Sequence, residues 1–151
     1  MFHILFVCHG NICRSPMAEF YMRRLIDEAG LSHRIRVESA GVSAEELGNP
    51  VYPPARRLLA RSGIDCAGKR ARVMTRADYD RFELLLAMER ANLRGMERIC
   101  GGDPEGKMHL LLEACPPVRD VEDPWYSGDF DAAWRDVTAG CRGWLERLRE
   151  R

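Results

Sequence analysis

Apolar residues in this chain follow two rhythms, short uninterrupted runs and longer stretches at helical spacing, and the two alternate. Ile4-Leu5-Phe6-Val7 is the first run, and Glu83-Leu84-Leu85-Leu86-Ala87-Met88 contains the longest. Runs of that length bounded by turn residues read as strands buried on both faces. Ile35–Ser39 reads as a second strand and Met108–Leu112 as a fourth. After the first strand the chain restarts at Ser15-Pro16 and keeps an amphipathic period through Leu25 and Ile26 to about Ala29, where Gly30 stops it. Ser15 suits an N-cap and Pro16 the first helical position. Further helices are expected at Pro54–Ser62, ended by Gly63, and at Thr75–Phe82 with Thr75 as N-cap. Two more are expected at Arg90–Ile99, before the Gly101-Gly102-Asp103-Pro104 turn, and at Phe130–Leu148. Val42–Pro54 has neither period and carries Gly48, Asn49-Pro50 and Pro53-Pro54, so it reads as a surface loop that begins from Ala40-Gly41. Strand alternating with helix predicts an α/β fold, a parallel sheet with helices on both faces and right-handed crossovers.

Composition narrows this picture. With 151 residues, the chain suffices for one domain with a proper core and is too short for two ordinary ones. Its 23 basic and 23 acidic residues cancel, so no global field draws it to nucleic acid or to a membrane surface. No apolar stretch approaches the roughly 18 residues of a membrane span, and the N-terminus lacks the pattern of a secretory signal. A cytoplasmic protein without membrane insertion is expected. Its six cysteines then read as reduced thiols. None is spaced Cys-x2-Cys, and His3, His9, His33 and His109 form no paired ligand pattern, so no metal is expected.

The chemistry concentrates where the first strand stops. Cys8 ends it, Gly10-Asn11 turns the chain, and a helix follows at once. A strand, a tight loop and a helix N-terminus together make an anion site, because loop N–H groups and the helix dipole converge. The same features favour a thiolate, which makes Cys8 a candidate nucleophile. Arg14 closes the loop from the other side, its planar fork suited to two parallel hydrogen bonds with a tetrahedral oxyanion. The Ser15 hydroxyl is in reach to donate to the Cys8 sulfur. Cys-x5-Arg spacing alone is weak, since it recurs at Cys66/Arg72 and Cys141/Arg147, but neither rival follows an apolar strand or precedes Ser or Thr.

At these residues a resemblance emerges. Val7-Cys8-His9-Gly10-Asn11-Ile12-Cys13-Arg14-Ser15-Pro16-Met17-Ala18-Glu19 resembles the signature of the low-molecular-weight protein tyrosine phosphatases. The likeness runs on through Ser39-Ala40-Gly41, Gly63-Ile64-Asp65, Ala71-Arg72, Met88 with Asn92, and Asp123-Pro124-Trp125-Tyr126. It implies a single three-layer domain over residues 1–151 with a four-stranded parallel sheet in the order 2-1-3-4. It further implies phosphate monoester hydrolysis through a phosphocysteine, with no metal or cofactor. Cys8, Arg14 and Asp123 would then be catalytic, and His9, Gly10, Asn11, Ile12, Cys13, Ser15, Trp125 and Tyr126 would bind substrate. The expected partner is a phosphotyrosine-bearing protein, with a tyrosine kinase among the candidates.

A phosphocysteine route needs an acid for the departing oxygen. On residue types alone, Asp123-Pro124 reads equally as that acid or as turn chemistry; the resemblance selects Asp123 over Asp120 and Asp129. Trp125 and Tyr126 are expected to shield its carboxyl group from water. Three positions depart from the family pattern: Glu45 where an aromatic is frequent, Lys69 where the family commonly has a histidine hydrogen-bonded into the network behind the phosphate loop, and Glu89 where aspartate is usual. Lys69 reads as part of a solvated basic run.

Three alternatives stand beside tyrosine phosphatase activity. Some relatives act on phosphoarginine but carry Thr where this chain has Ile12. An arsenate reductase on the same scaffold would need a close cysteine pair that Cys66, Cys100 and Cys115 do not form. A non-catalytic phosphate-binding module would be expected to lack Cys8 or Asp123. Finally, Cys13 lies in the same tight loop as Cys8, so it reads either as a thiol that traps oxidised Cys8 in a disulfide or as a small packing residue.

Overall fold

The computed structural model describes residues 1–150, so Arg151 of the expected domain lies outside the described residues. The elements in chain order are β1 (Phe2–Cys8), α1 (Arg14–Glu28), β2 (Ile35–Gly41), α2 (Pro53–Arg61), α3 (Arg76–Arg81) and β3 (Leu84–Ala87). There follow α4 (Arg90–Cys100), β4 (Met108–Leu110), a 3-10 turn at Leu111–Ala114, the single-turn α5 (Pro124–Ser127), and α6 (Phe130–Arg149). All strands are parallel in the order β2-β1-β3-β4, as expected.

Side-chain alternation along β1 creates two cores. Ile4, Phe6 and Cys8 face one side with Leu84 and Leu86, packed against Met17 and Met22 of α1 and Val137 and Trp144 of α6. Leu5 and Val7 face the other with Leu85 and Ala87, against Tyr79, Phe82 and Met96 of the α3–α4 layer. Ile4, Leu5, Phe6 and Val7 are fully buried. Each such side chain contributes about 1.5–3 kcal/mol through burial, so the strand that ends at Cys8 is the best anchored in the sheet. Among the described residues no helix is long and apolar enough to cross a membrane.

Several element boundaries differ from the sequence reading. Helix α1 starts at Arg14 with Cys13 as its N-cap, so Ser15 and Pro16 are the second and third helical residues. Pro16 loses no bond there, because the first helical hydrogen bond runs from Met17 N–H to Cys13 C=O. Strand β2 continues through Ala40 and Gly41, paired with Val7 and Cys8, instead of turning at Ala40. Strand β4 stops at Leu110 because its neighbour β3 ends opposite it at Ala87; Leu111 and Leu112 turn away into the α1/α6 core. Helix α2 begins and ends one residue early.

Candidate active site

The loop between β1 and α1, residues 9–13, is held by close packing of backbone on backbone. A Cβ on Gly41 would lie 2.6 Å from His9 C=O and 3.1 Å from the Gly10 carbonyl carbon, so only glycine allows the end of β2 to pass beneath the loop. Val42 N–H donates to Cys8 C=O at 3.1 Å and Ser43 N–H to His9 C=O at 3.0 Å, while Tyr52 N–H donates to Ile12 C=O at 2.9 Å. Asn11 sits at φ 61°, the one positive φ outside glycine among the described residues. Asparagine tolerates this left-handed conformation better than most residues. The turn directs the Asn11 N–H at the Cys8 sulfur, 3.3 Å away.

Behind the sulfur, a buried relay has its hydrogen directions dictated by its two ends. Arg72 N–H can only donate, and it donates to Asn11 Oδ1 at 3.0 Å, which identifies the amide oxygen. Asn11 Nδ2 therefore donates to Ser15 Oγ at 2.8 Å and to Ser39 Oγ at 2.9 Å. At the other end Ser39 Oγ donates to the Glu19 carboxylate. Ser15 Oγ, already an acceptor, has its own hydrogen for Cys8 Sγ at 2.9 Å. The Ser15 hydroxyl and the Asn11 N–H thus both face the sulfur within hydrogen-bond reach.

Arg14 is 1 % exposed and its charge is balanced locally. Nη1 donates to Val121 C=O at 2.8 Å, and Nη2 lies 3.4 Å from Glu89 Oε1 and 3.3 Å from Asp123 Oδ2. A buried guanidinium without such partners would cost several kcal/mol, so these contacts hold its fork against the cleft. Asp123 N-caps α5: its Oδ1 accepts Trp125 N–H at 3.0 Å while Oδ2 faces Arg14. The carboxylate is therefore aimed across the cleft mouth.

A cleft of about 460 Å³ opens above the sulfur, lined by Cys8, His9, Gly10, Ile12, Cys13, Arg14, Asp123, Trp125 and Tyr126, with Glu45 and Glu46 on its far wall. Of the expected substrate-binding residues, Asn11 and Ser15 lie behind the loop, fully buried, and act on the sulfur instead of lining the cleft. Trp125 packs on Tyr52 with ring centroids 4.9 Å apart yet stays 51 % exposed, and Tyr126 is 84 % exposed. They form a rim around the entrance, and it is Arg14 that faces the Asp123 carboxyl group in the place of an aromatic shield. Glu45 is held by His9, whose Nε2 lies 3.4 Å from Oε2. Burial pushes the Cys13 thiol far up, and the charges of Cys8 and Asp123 add to the effect.

The rivals are occupied elsewhere. Asp120 accepts from the backbone and side chain of Arg90, and Asp129 caps α6. Cys66 and Cys141 are buried away from the cleft. Sequence reading missed the roles of Glu19, Ser39 and Lys69, and Lys69 is not a solvated residue. Its ammonium donates to Ser39 C=O at 3.0 Å and pairs with Glu19 at 3.3 Å. Only the apolar surroundings of Glu19, in Met17-Ala18-Glu19-Phe20, signal that its carboxylate is buried.

Known proteins resemble this chain over nearly its full length. A family model described as low molecular weight phosphotyrosine protein phosphatase matches residues 3–151. The low molecular weight protein-tyrosine-phosphatase YfkJ of Bacillus subtilis is 34 % identical over 99 % of this chain and 97 % of its own length, and its crystal structure superposes with a TM-score of 0.96, covering 99 % and 96 %. The human low molecular weight phosphotyrosine protein phosphatase is 36 % identical over 95 % of this chain and 94 % of its own. A Drosophila arginine phosphatase has the same fold at 28 % identity, TM-score 0.87, with 96 % of each chain covered. A cysteine at the base of the cleft, a buried arginine beside it and a carboxylate across the mouth accord with these matches, and the chain belongs to the low molecular weight phosphotyrosine protein phosphatase family.

Proposed function

We propose that this protein hydrolyses phosphotyrosine in proteins through a phosphocysteine at Cys8. The observation that carries the reading is the convergence of Cys8, Arg14 and Asp123 on one cleft with an aromatic rim. The Cys8 thiolate attacks phosphorus in line, and the bond to the tyrosine oxygen breaks as Asp123 gives that oxygen its proton. Arg14 and loop N–H groups hold the equatorial oxygens. Asp123 then takes a proton from water as it attacks the phosphocysteine, releasing phosphate and a thiolate that Ser15 and Asn11 stabilise. The test compares phosphotyrosine, phosphoserine and phosphoarginine peptides: turnover should favour phosphotyrosine, and a preference for either other peptide refutes the assignment. Substrates are phosphotyrosine-bearing cytoplasmic proteins, tyrosine kinases among the candidates; six unbridged thiols suit a reducing compartment.

Ile12 supports tyrosine over arginine. It is 7 % exposed and packs with Cys13 and Ala71 against Tyr52 and Phe130, presenting an aliphatic wall to the cleft. That wall suits a flat ring and offers nothing to the extra N–H groups of phosphoarginine. Ile12→Thr adds a hydroxyl and removes bulk, and should raise the phosphoarginine-to-phosphotyrosine kcat/KM ratio about 10-fold, the scale of a small change in a pocket wall. An unchanged ratio would remove Ile12 from the specificity argument.

Cys13 shares the cleft with Cys8, and we assign it the protection of oxidised Cys8. Peroxide converts the Cys8 thiolate to a sulfenic acid, and the Cys13 thiol condenses with it, losing water and forming a disulfide. Its burial keeps Cys13 protonated, so Cys8 oxidises first. After peroxide, wild type should regain activity with a dithiol, whereas Cys13→Ser should not. Equal recovery of the two would leave Cys13 as a packing residue.

A further inference from the structure

We infer that Arg119 and Asp120 are positioning residues for the general acid, strapping the loop that carries Asp123 to the helices on both faces of the sheet. The inference rests on Asp123 as the acid. Residues 115–123 form neither helix nor strand. Among the described residues, the backbone of 116–122 bonds to the rest of the fold at Val121 alone, whose N–H donates to Met88 C=O and whose C=O accepts from Arg14, both at 2.8 Å. Side chains supply the other attachments, and they leave on alternate sides. Arg119 meets Asp136 of α6 through two parallel hydrogen bonds, Nη1 to Oδ2 at 2.8 Å and Nη2 to Oδ1 at 2.6 Å. Asp120 Oδ1 accepts the Arg90 N–H at 3.0 Å and Arg90 Nη1 at 3.1 Å, at the first residue of α4. Val121 then returns to the core shared with α1 and α6.

A chain held at one hydrogen-bonded residue can still turn about it, and Asp123 lies only two residues beyond Val121. Arg119 stands two residues before. Its forked contact fixes direction as well as distance, so it resists that rotation where a single point charge would not. The half-exposed Arg119 meets a mostly buried Asp136, the bidentate geometry in which a surface pair has a measurable effect. Asp120 holds the loop from the opposite face, its carboxylate placed where a helix N-terminus offers an unpaired N–H and a favourable dipole. The two straps thus secure the start of the excursion that carries Asp123, Trp125 and Tyr126 over the cleft before the chain returns along α6. None of Arg90, Arg119, Asp120 and Asp136 lines that cleft. What they set is the place of the Asp123 carboxyl group, which protonates the departing oxygen only from within hydrogen-bond reach.

Dependence on the leaving group reads the position of the acid and is blind to a merely structural loss. In Arg119→Met and in Asp120→Ala, kcat/KM for a phosphotyrosine peptide should fall about 3- to 10-fold, below the roughly 10²-fold that a full ångström of misplacement can cost, because Val121 still anchors the chain. For nitrophenyl phosphate, whose leaving group needs little protonation, the fall should be less than about 2-fold. Inhibition by inorganic phosphate should match wild type, since Arg14 keeps its bond to Val121 C=O. Asp136→Asn should reproduce the Arg119→Met signature, and combining the two should cost no more than either alone, as expected of residues that act as a pair. A wild-type substrate ratio in Arg119→Met or Asp120→Ala overturns the inference, and so do additive losses in the Arg119→Met/Asp136→Asn double variant. Equal losses on both substrates, the outcome of misfolding or of weakened phosphate binding, overturn it as well. Asp123→Asn in the same assay separates the two levels. A loss there selective for phosphotyrosine, without one in the strap variants, leaves the acid standing and removes only the straps, whereas an unselective loss in Asp123→Asn removes the acid and the inference with it.

Discussion

Cys8→Ser should abolish turnover of phosphotyrosine peptides, by a factor on the order of 10⁴ to 10⁶, the scale seen when an enzyme loses its nucleophile. Binding should persist. The loop is held by Gly41 beneath it, by backbone bonds from Val42, Ser43 and Tyr52, and by Asn11 reaching Ser39 and Arg72, and none of these involves the sulfur. Arg14 also keeps its contacts with Val121 C=O, Glu89 and Asp123. Serine is nearly isosteric with cysteine, but a hydroxyl at this position stays protonated under conditions where the thiolate is available. The variant should therefore melt within a few degrees of wild type and still bind a phosphotyrosine peptide by calorimetry. Residual hydrolysis above one-hundredth of wild type would sink the covalent mechanism. Loss of binding together with turnover would mean that the sulfur organises the loop.

Asp123→Asn should slow phosphotyrosine hydrolysis by roughly 10²- to 10⁴-fold, the usual contribution of a positioned general acid. The loss should depend on the leaving group. Phenolate from tyrosine needs a proton as it departs, whereas nitrophenolate is already a weak base, so nitrophenyl phosphate should suffer much less. This dependence separates acid catalysis from a structural role, which the geometry makes a real distinction: Asp123 also caps α5 through Trp125 N–H and faces Arg14 at 3.3 Å. Asparagine can keep the cap, since its side-chain oxygen still accepts. It cannot keep the ion pair. Equal losses on both substrates would show that Asp123 acts by holding Arg14.

Glu89 makes a related point about substitution within a family pattern. It N-caps α4, and its extra methylene relative to aspartate still leaves Oε1 3.4 Å from Arg14 Nη2. The departure noticed in sequence thus reaches the arginine. Glu45 is different in kind: where an aromatic is frequent in the family, a carboxylate lies beside His9, and the aromatic surface comes from Trp125 and Tyr126 on the rim.

Much of this protein was legible from one dimension. Continuous burial shows in sequence as the unbroken apolar runs Ile4–Val7 and Leu84–Ala87, because strands covered on both faces have no solvent side for polar residues. Alternation of such runs with helical stretches leaves a parallel sheet as the natural solution. Cys8, Arg14 and Ser15 were legible because their relations are local, set within one turn between a strand and a helix. Element ends were less so, since they depend on neighbours: β2 runs on to Gly41 because β1 runs beside it, and β4 stops because β3 does. Asp123 could be placed opposite the cysteine only through resemblance, as the contact with Arg14 spans more than a hundred residues and no local spacing encodes it. The relay's members were hidden, although the resemblance implied a hydrogen-bonded network behind the loop. Glu19, Ser39 and Lys69 lie on a helix, a strand and a loop, and each alone has an ordinary reading as a surface or packing residue. Only tertiary structure brings them within hydrogen-bond reach, where burial turns a charge that water would screen into one that must be matched.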